Sequence, residues 1–223
     1  MFISPVQTYN PAYRGNNREV FNKSGKFLYK TTTYFFREDL NWTCLAELLG
    51  EKYKTVQKVN VLNHACSNGQ EPYTLAVKLI QILGKEAKKF FPIQAKDIDF
   101  DNIESANRGR LGIKLNEMYR INHYTKNQLT SFFTLGKPAN PNNDLVLIPK
   151  ENIKSKVNFS QADILKDTSE KLPDNTVILC RNFWPYLTPA EREQLASNLY
   201  QNIGDNSLII TGDFDYRSNT PVS

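Results

Sequence analysis

The sequence predicts an α/β fold in which a mostly parallel sheet is doubly wound by helices and carries a small inserted subdomain. Three observations support this fold class. From residue 59 onward, short apolar strands alternate with amphipathic helices. Several of these helices have clear start signals, and polar or acidic residues follow directly after the strands. Strand–helix alternation is typical of parallel sheets, which bind ligands beyond the carboxyl ends of their strands.

The first strand–helix unit is predicted over residues 59–84. Residues 59–62 (Val-Asn-Val-Leu) form its strand. The helix that follows has Pro72 in its first turn, where a missing N–H costs nothing, and Gly84 ends it. This unit places the loop at residues 65–71 at the carboxyl edge of the sheet.

The second unit begins with a strand predicted over residues 91–98. We expect Asp101 and Glu104 to form a capping box for the next helix, which Gly109 closes. Further strands are predicted at residues 157–159, 176–180 and 207–211.

The helix between the last two strands is predicted to begin at a second capping box. Thr188 and Glu191 form this box around Pro189 at the first helical position. Each of the later strands is therefore followed by a loop that opens on the same edge of the sheet as the first.

Two segments break the alternation. Residues 1–30 carry scattered Asn, Pro and Gly residues and are predicted to be an irregular N-terminal arm ahead of a main domain at 31–223. Residues 113–156 are too long for a plain connection, so we expect an inserted helix and a small antiparallel sheet there. The chain ends soon after the fifth strand, which leaves a potentially exposed sheet edge.

Composition limits the class of protein. A chain of 223 residues with 40% hydrophobic content can bury one sizeable core. No stretch approaches the roughly 20 apolar residues that span a bilayer, so we expect no membrane insertion and a cytoplasmic location. Cys44, Cys66 and Cys180 are far apart and indicate neither a disulfide framework nor a metal site. The net charge of +5 is a mild excess that selects no partner.

The loop after the first strand favours a nucleoside with an amino-acid tail over a dinucleotide. It holds one close-approach glycine, Gly69, where a pyrophosphate site shows three. Glu71 lies in the same loop, and Asp97 at the second strand end can accept hydrogen bonds from both ribose hydroxyls. The alternatives are a helix-cap or surface role for Asp97 and a helix-dipole role for Glu71.

Residues that follow two later strands are further candidates for the binding site. Asp163 can accept a hydrogen bond from an adenine amine while Ile164 lies against the ring, although a solvent-facing helix cap is the alternative for Asp163. Asn182 can donate or accept near a transferring group, and its alternative role is that of a turn former. Together the strand ends predict a nucleoside site.

Five blocks in this order resemble the CheR-type chemotaxis methyltransferases. The blocks are Thr-x-Phe-Phe-Arg at 33–37, Ala-Cys-Ser-x-Gly-x-Glu-Pro-Tyr at 65–73, Asp-Ile-Asp at 97–99, Val-x-Phe at 157–159, and Cys-Arg-Asn at 180–182 with Tyr186. The resemblance runs from about Lys30 to Gly212. It implies a Rossmann-like fold and methyl transfer from S-adenosylmethionine to glutamate side chains of chemoreceptors, with S-adenosylhomocysteine as product.

The resemblance also implies a role for each matching residue. The implied cofactor site comprises Thr31, Thr33, Arg37, Ala65, Gly69, Glu71, Asp97, Asp163, Ile164, Asn182 and Phe183. Arg37 would hold the methionyl carboxylate of the cofactor or lie beside the transferring methyl group. Asn182 and Phe183 would line the methyl-transfer end, and Tyr186 would face the substrate. The partner implied is a protein with acceptor glutamates.

The reaction requires no general base. A glutamate carboxylate, with an ordinary pKa of about 4.3, is already nucleophilic at neutral pH. Catalysis then depends on positioning. His64 and His123 are the two histidines of the chain, and we expect a packing or hydrogen-bonding role for His64.

Departures from the family pattern leave two other functions open. The family's helical domain ahead of the first block is replaced by about thirty irregular residues, and its His-Ser-Glu after the fifth strand is Asp-Phe-Asp at 213–215. One alternative is a non-catalytic module that binds S-adenosylmethionine or its product. The other is a nucleic-acid amino-methyltransferase, which residues 182–186 (Asn-Phe-Trp-Pro-Tyr) faintly suggest, but no basic stripe interleaved with aromatics supports a nucleic-acid partner.

Overall fold

The computed structural model describes residues 18–21, 27–31, 33–138 and 143–217. The elements of the first half, in chain order, are β1 (Arg18–Phe21), β2 (Phe27–Thr31), α1 (Trp42–Lys52), β3 (Asn60–His64), α2 (Gln70–Leu83), β4 (Ile93–Asp97) and α3 (Phe100–Arg108). The inserted region holds β5 (Leu111–Ile113), α4 (Leu115–Tyr124), α5 (Leu129–Phe132), β6 (Phe133–Gly136), β7 (Leu145–Pro149) and α6 (Glu151–Lys154). The remainder is β8 (Val157–Gln161), α7 (Ile164–Asp167), β9 (Thr176–Cys180), α8 (Pro189–Asn202), β10 (Leu208–Ile210) and α9 (Asp213–Arg217). Two 3₁₀ turns, Gly84–Phe90 and Trp184–Tyr186, complete the description.

The central sheet is parallel and confirms the predicted fold class. Its strand order within the described residues is β10-β9-β3-β4-β8. The order reverses direction beside β3, since β4 and β8 lie on one side of it and β9 and β10 on the other. Such a reversal opens a crevice at the carboxyl ends of the strands.

The predicted strands and helices of this sheet are confirmed, with one corrected helix cap. The helix expected to start at Asp101 starts at Phe100, and its N-cap is Asp99, whose Oδ1 accepts from the backbone N–H of Asp101 at 2.9 Å. Asp99 rather than Asp101 is the N-cap, because Asp99 has extended backbone and lies just ahead of the first helical turn. Glu104 instead forms an exposed ion pair with Arg108.

Both faces of the sheet bury apolar residues, but to different extents. The larger core lies between the sheet and α1 and α2, and includes the fully buried Trp42, Leu75 and Val61. A smaller cluster on the other face packs Ile178 against Leu195 and Leu199 of α8. On that face, strands β4 and β8 carry polar side chains, namely Gln94, Lys96, Asn158 and Ser160. Their polarity allows this part of a parallel sheet to meet solvent.

The inserted region has the helices and the antiparallel sheet that the sequence predicts. Strand β7 lies between β5 and β6 and pairs with both in antiparallel register. The sheet packs into the larger core through Leu147 of β7 and Phe133 of β6. The insertion is therefore anchored to the main domain by apolar contacts.

The predicted irregular arm is corrected where the structure describes it. Strands β1 and β2 pair in antiparallel fashion, with Val20 opposite Tyr29. Aromatic and β-branched residues favour strands, and here they outweigh the Asn and Gly residues that suggested loops. Residues 1–17 and 22–26 of this arm lie outside the described residues.

Among the described residues, we find no helix that combines the length and the apolar character needed to cross a membrane.

Candidate active site

A cavity of about 500 Å³ opens at the carboxyl ends of the central strands. Its wall is formed by the segment 33–37 and by the loops after β3, β4, β8 and β9. It includes all but two of the predicted site residues, namely Thr33, Arg37, Ala65, Glu71, Asp97, Asp163, Ile164, Asn182, Phe183 and Tyr186. Residues from four of the five blocks, together with Asp163 and Ile164, thus surround one space.

The two exceptions are Thr31 and Gly69. Thr31 ends β2, and its side chain lies outside the described residues. Gly69 has φ +96°, and a Cβ there would lie 2.8 Å from the ring of Phe159. Gly69 is therefore required for backbone geometry and for close packing of the loop on β8.

The segment 33–37 is held by its two phenylalanines. Phe35 makes an edge contact with Phe133, and Phe36 stacks on Tyr124 with ring centroids 5.3 Å apart. The backbone N–H of Phe36 also donates to Thr74 Oγ1, at 3.1 Å. These contacts bury the aromatic side chains and leave Thr33 and Arg37 on the cavity side.

Asp97 is fixed by donors from two loops. Its Oδ2 accepts from the backbone N–H of Ser67 at 2.7 Å, and its Oδ1 accepts from that of Asp99 at 2.9 Å. Burial raises the pKa of the Asp97 carboxyl, and these amide hydrogen bonds partly counter the rise. Oδ1 also accepts from Nδ2 of Asn102 at 3.5 Å, so the lone pair that remains for a further hydrogen bond is on Oδ2.

Glu71 is not a bare carboxylate, because a buried arginine engages it. The side chain of Arg181 is 0% exposed, and its Nη1 lies 2.5 Å from Glu71 Oε2. Its Nη2 pairs with Asp39, and its guanidinium lies over the ring of Trp42. Burial lowers the pKa of Arg181, but the carboxylates of Glu71 and Asp39 outweigh it and raise that pKa. Arg37 also pairs with Asp39, at 3.5 Å, so two arginines balance the two carboxylates of this cluster.

Asn182 sits in a tight turn after β9, with φ +63°. Its backbone N–H donates to Asp215 Oδ2 at 2.6 Å, and its Nδ2 donates to Asp39 Oδ2 at 3.1 Å. A Cβ on Gly212 would lie 2.5 Å from the Asn182 side chain, so glycine allows this close approach. Asn182 is therefore both a turn former and a residue of the cavity wall.

Asp215, in the segment 213–215 where the sequence departs from the family pattern, holds the loop of Asn182 in place. Its carboxylate also accepts from the backbone N–H groups of Trp184 and Gly212. These bonds fasten the loop of Asn182 to the end of β10. Phe214 beside it is 42% exposed and lies 6.1 Å from the ring of Tyr186.

In the loop after β8, Asp163 lies both at a helix N-terminus and in the cavity wall. Asp163 is the N-cap of α7, since its Oδ1 accepts from the backbone N–H of Leu165 at 3.0 Å. It also lines the cavity, and Ile164 beside it is buried in the smaller core. Ile98, on the opposite loop, lines the cavity with 58% of its surface exposed.

His64 lies at the end of β3, in the cavity wall, and is buried. Burial lowers its pKa to about 4, although Asp167, 3.6 Å from its Nε2, raises it in part. The imidazole is therefore neutral at neutral pH.

Four of the eight non-glycine residues with positive φ among the described residues lie in the segments that form this cavity. They are Phe36, Ala65, Ser67 and Asn182, with φ between +50° and +63°. Left-handed conformations are costly for side-chain-bearing residues and cluster at functional sites.

Sequence reasoning missed four residues that shape the cavity or its charge. Asp39, Ser67, Ile98 and Arg181 were not assigned roles, although Ser67, Ile98 and Arg181 line the wall. Ser67, Ile98 and Arg181 belong to blocks that the sequence analysis quoted, which was the available signal. No such signal marked Asp39.

The family model for "CheR methyltransferase, SAM binding domain" matches residues 31–220 of the chain. The chain is 27% identical over 187 residues to the chemotaxis protein methyltransferase of Salmonella typhimurium, covering 84% of this chain and 61% of that protein. It is 23% identical over 184 residues to chemotaxis protein methyltransferase 2 of Vibrio cholerae, covering 81% and 60%. The chain thus spans about three fifths of the length of these curated relatives.

Among solved structures, the plantazolicin methyltransferase BpumL in complex with SAH aligns at a TM-score of 0.40. That alignment has 16% identity and covers 76% of this chain and 44% of the other. A similarity of that size supports no conclusion about function.

Proposed function

The chain belongs to the CheR methyltransferase family, and on that premise we propose that it transfers a methyl group from S-adenosylmethionine to a carboxylate side chain of a protein. The observation that carries this proposal is the cavity at the carboxyl ends of the strands, with Asp97 held in its wall by the Ser67 amide. The named relatives act in chemotaxis, so we extend the proposal to acceptor glutamates of a chemoreceptor.

The size and polar groups of the cavity fit the cofactor. A volume of about 500 Å³ lies within the usual range of small-molecule sites. Asp97 Oδ2 offers one acceptor position for a ribose hydroxyl, and Asp163 Oδ2 offers one for the adenine amine. Ile98 and Ile164, on facing loops, supply apolar surface for the adenine ring. Among the described residues, the buried Ser67 Oγ has no hydrogen-bond partner, which suits a polar ligand.

The charge around Glu71 suits the amino-acid tail. Glu71 lines the cavity and its side chain is 16% exposed, so its carboxylate can accept a hydrogen bond from the α-ammonium group. Arg37 lines the same cavity and can pair with the anionic carboxylate of the tail. The cluster therefore replaces the single free carboxylate that the sequence suggested.

For this reaction the protein has to position the acceptor carboxylate relative to the methyl group and to exclude competing groups. When bound, S-adenosylmethionine supplies a methyl group on a sulfonium sulfur, and transfer to a carboxylate oxygen leaves a methyl ester and S-adenosylhomocysteine. No proton moves, so the neutral His64 does not need to act as a base. Tyr186 and Phe183 line the cavity next to Asn182, where they face an incoming side chain.

The test combines binding and turnover. Calorimetric titration with S-adenosylhomocysteine should show binding that Asp97→Ala abolishes and the exposed neighbouring variant Asp101→Asn preserves. Incubation with methyl-labelled S-adenosylmethionine and a chemoreceptor cytoplasmic fragment should then give label that mild base releases as methanol, because methyl esters are base-labile.

The other outcomes separate the rival functions. Binding without transfer to any protein carboxylate would favour the non-catalytic module. Base-stable label on nucleic acid would favour the amino-methylating enzyme. A wild-type protein that binds no S-adenosylhomocysteine would refute the proposal.

A further inference from the structure

We propose that Asp39 is a positioning residue of the methyl-transfer site, and that its single carboxylate orients both Arg37 and Asn182. This inference rests on the proposed function. Asp39 lies outside the sequence blocks that identify the cofactor site, and it does not line the cavity itself.

The geometry makes Asp39 the common partner of three side chains. Its Oδ1 pairs with Nη2 of Arg181. Its Oδ2 accepts from Nδ2 of Asn182 at 3.1 Å and lies 3.5 Å from Nε of Arg37. One oxygen therefore faces the buried arginine, and the other faces the two groups of the cavity wall.

Arg181 makes the position of this carboxylate rigid. Its side chain is completely buried, Nη1 is engaged by Glu71, and the guanidinium lies over Trp42 at 5.0 Å. Glu71 is fixed in turn, because its Oε1 accepts from Nδ2 of Asn63 at 2.9 Å. A planar guanidinium held on two sides fixes the oxygen that it pairs with.

For Asn182, Asp39 decides which end of the amide meets a ligand. A carboxylate can only accept, so it selects the NH₂ group of the asparagine and turns Oδ1 the other way. Among the described residues, Oδ1 is buried and has no hydrogen-bond partner. Asp39 therefore fixes the orientation of the Asn182 amide in the cavity wall, with Oδ1 turned toward Gly212.

For Arg37, the contact restricts a long and otherwise adaptable side chain. Asp39 approaches Nε, which sets the rotation of the guanidinium plane about its long axis. The backbone carbonyl of Arg37 is also held, because it accepts from Trp42 Nε1 at 2.9 Å. An arginine fixed at both ends presents its cation in one orientation, which is what a proximity mechanism requires.

A purely structural role for Asp39, as a counter-ion for Arg181, makes a different prediction. It would lower the melting temperature on substitution but leave the affinity of the folded protein for ligand unchanged. The two roles can therefore be separated by measuring ligand affinity and stability in the same variants.

The experiment uses the full chain and S-adenosylhomocysteine as the probe. We expect Asp39→Asn to weaken binding at least tenfold at a temperature where the protein remains folded, because the new amide no longer selects the Asn182 rotamer. Glu38→Gln, an exposed neighbour, is the matched control and should bind like wild type. Asn182→Ala should weaken binding too, and the double variant with Asp39→Asn should lose less affinity than the sum of the two single losses, because the two side chains share one contact.

Additive losses in the double variant, or unchanged affinity with a lower melting temperature, would overturn the proposal. If Asp39→Asn does not fold, Asp39→Glu takes its place, since it keeps the charge and displaces the carboxylate by one methylene. A folded Asp39→Glu protein with wild-type affinity would equally overturn it. Wild-type protein without any binding would instead refute the proposed function.

Discussion

The carboxylate of Asp97 accepts a 2.7 Å hydrogen bond from the backbone N–H of Ser67, which joins the end of β4 to the loop between β3 and α2. Ser67 has φ +50°, so this amide points at the carboxylate from a strained turn. Asp97 therefore holds this loop in place, and the same carboxylate can accept a hydrogen bond from a ligand in the proposed cofactor site.

The first prediction concerns the charge of Asp97. Asp97→Asn keeps the size of the side chain but replaces a charged acceptor by a weaker neutral one. Hydrogen bonds to charged groups contribute about 1.5–3 kcal/mol, so affinity for S-adenosylhomocysteine should fall by about 10- to 100-fold. Titration calorimetry measures this directly. Wild-type affinity in the variant would show that the ribose does not use this carboxylate.

The second prediction is a pH dependence of binding. Burial raises the pKa of Asp97 above its ordinary value. The charged acceptor is therefore lost as pH falls through that raised pKa, at a higher pH than for an ordinary aspartate. Affinity measured from pH 7 downward should decline in wild type and stay flatter in Asp97→Asn. Parallel declines in both proteins would assign the effect to another group.

The elements around the cavity could be predicted because their signals are local. An apolar strand, a proline in the first helical turn and a polar residue at a strand end all lie within a few positions of one another. The strands and the cavity-facing loops were found this way, and so was the neighbourhood of Asp97 and Asp163. The Asp99 cap was missed because Asp99 and Asp101 carry the same chemical signal, and only the backbone conformation distinguishes them.

The charge network could not be predicted, because it is built from distant segments. Asp39 and Arg181 are separated by 142 positions, and no residue near either of them in the sequence indicates that they form an ion pair. Glu71 was therefore interpreted as a free carboxylate, although a buried arginine engages it. Propensity and spacing carry no information about such contacts, which depend on tertiary packing.

The third prediction concerns that network. Arg181→Met leaves Glu71 and Asp39 buried without their cation, and breaking a buried pair costs about 3–5 kcal/mol. Arg108→Met is a suitable control, because Arg108 forms an exposed pair with Glu104 worth less than about 1 kcal/mol. Chemical denaturation should show a large loss of stability for the first variant and a small one for the second. Equal losses would contradict the structural role of Arg181.

The fourth prediction is that His64 makes the stability of the protein depend on pH. Burial lowers the pKa of His64 from 6.5 in the unfolded chain to about 4 in the folded chain. Between these two pH values the unfolded chain therefore binds a proton at this imidazole, and the folded chain does not. Its contribution is present above pH 6.5 and is lost as pH falls to about 4, a change of up to about 3 kcal/mol. Urea denaturation should show this extra loss in wild type relative to His64→Gln. A constant difference between the two proteins across that range would contradict it.

The fifth prediction concerns the contact between Gly212 and Asn182. A Cβ at position 212 would lie 2.5 Å from Asn182 Oδ1, and that side chain is tied to Asp39 and its backbone to Asp215. Gly212→Ala should therefore destabilise the protein by about 1–3 kcal/mol. The same change made in an Asn182→Ala background should cost much less, because the obstructing amide is gone. Thermal denaturation of the four proteins measures this coupling, and equal costs in both backgrounds would show that the turn after β10 can move away from Asn182.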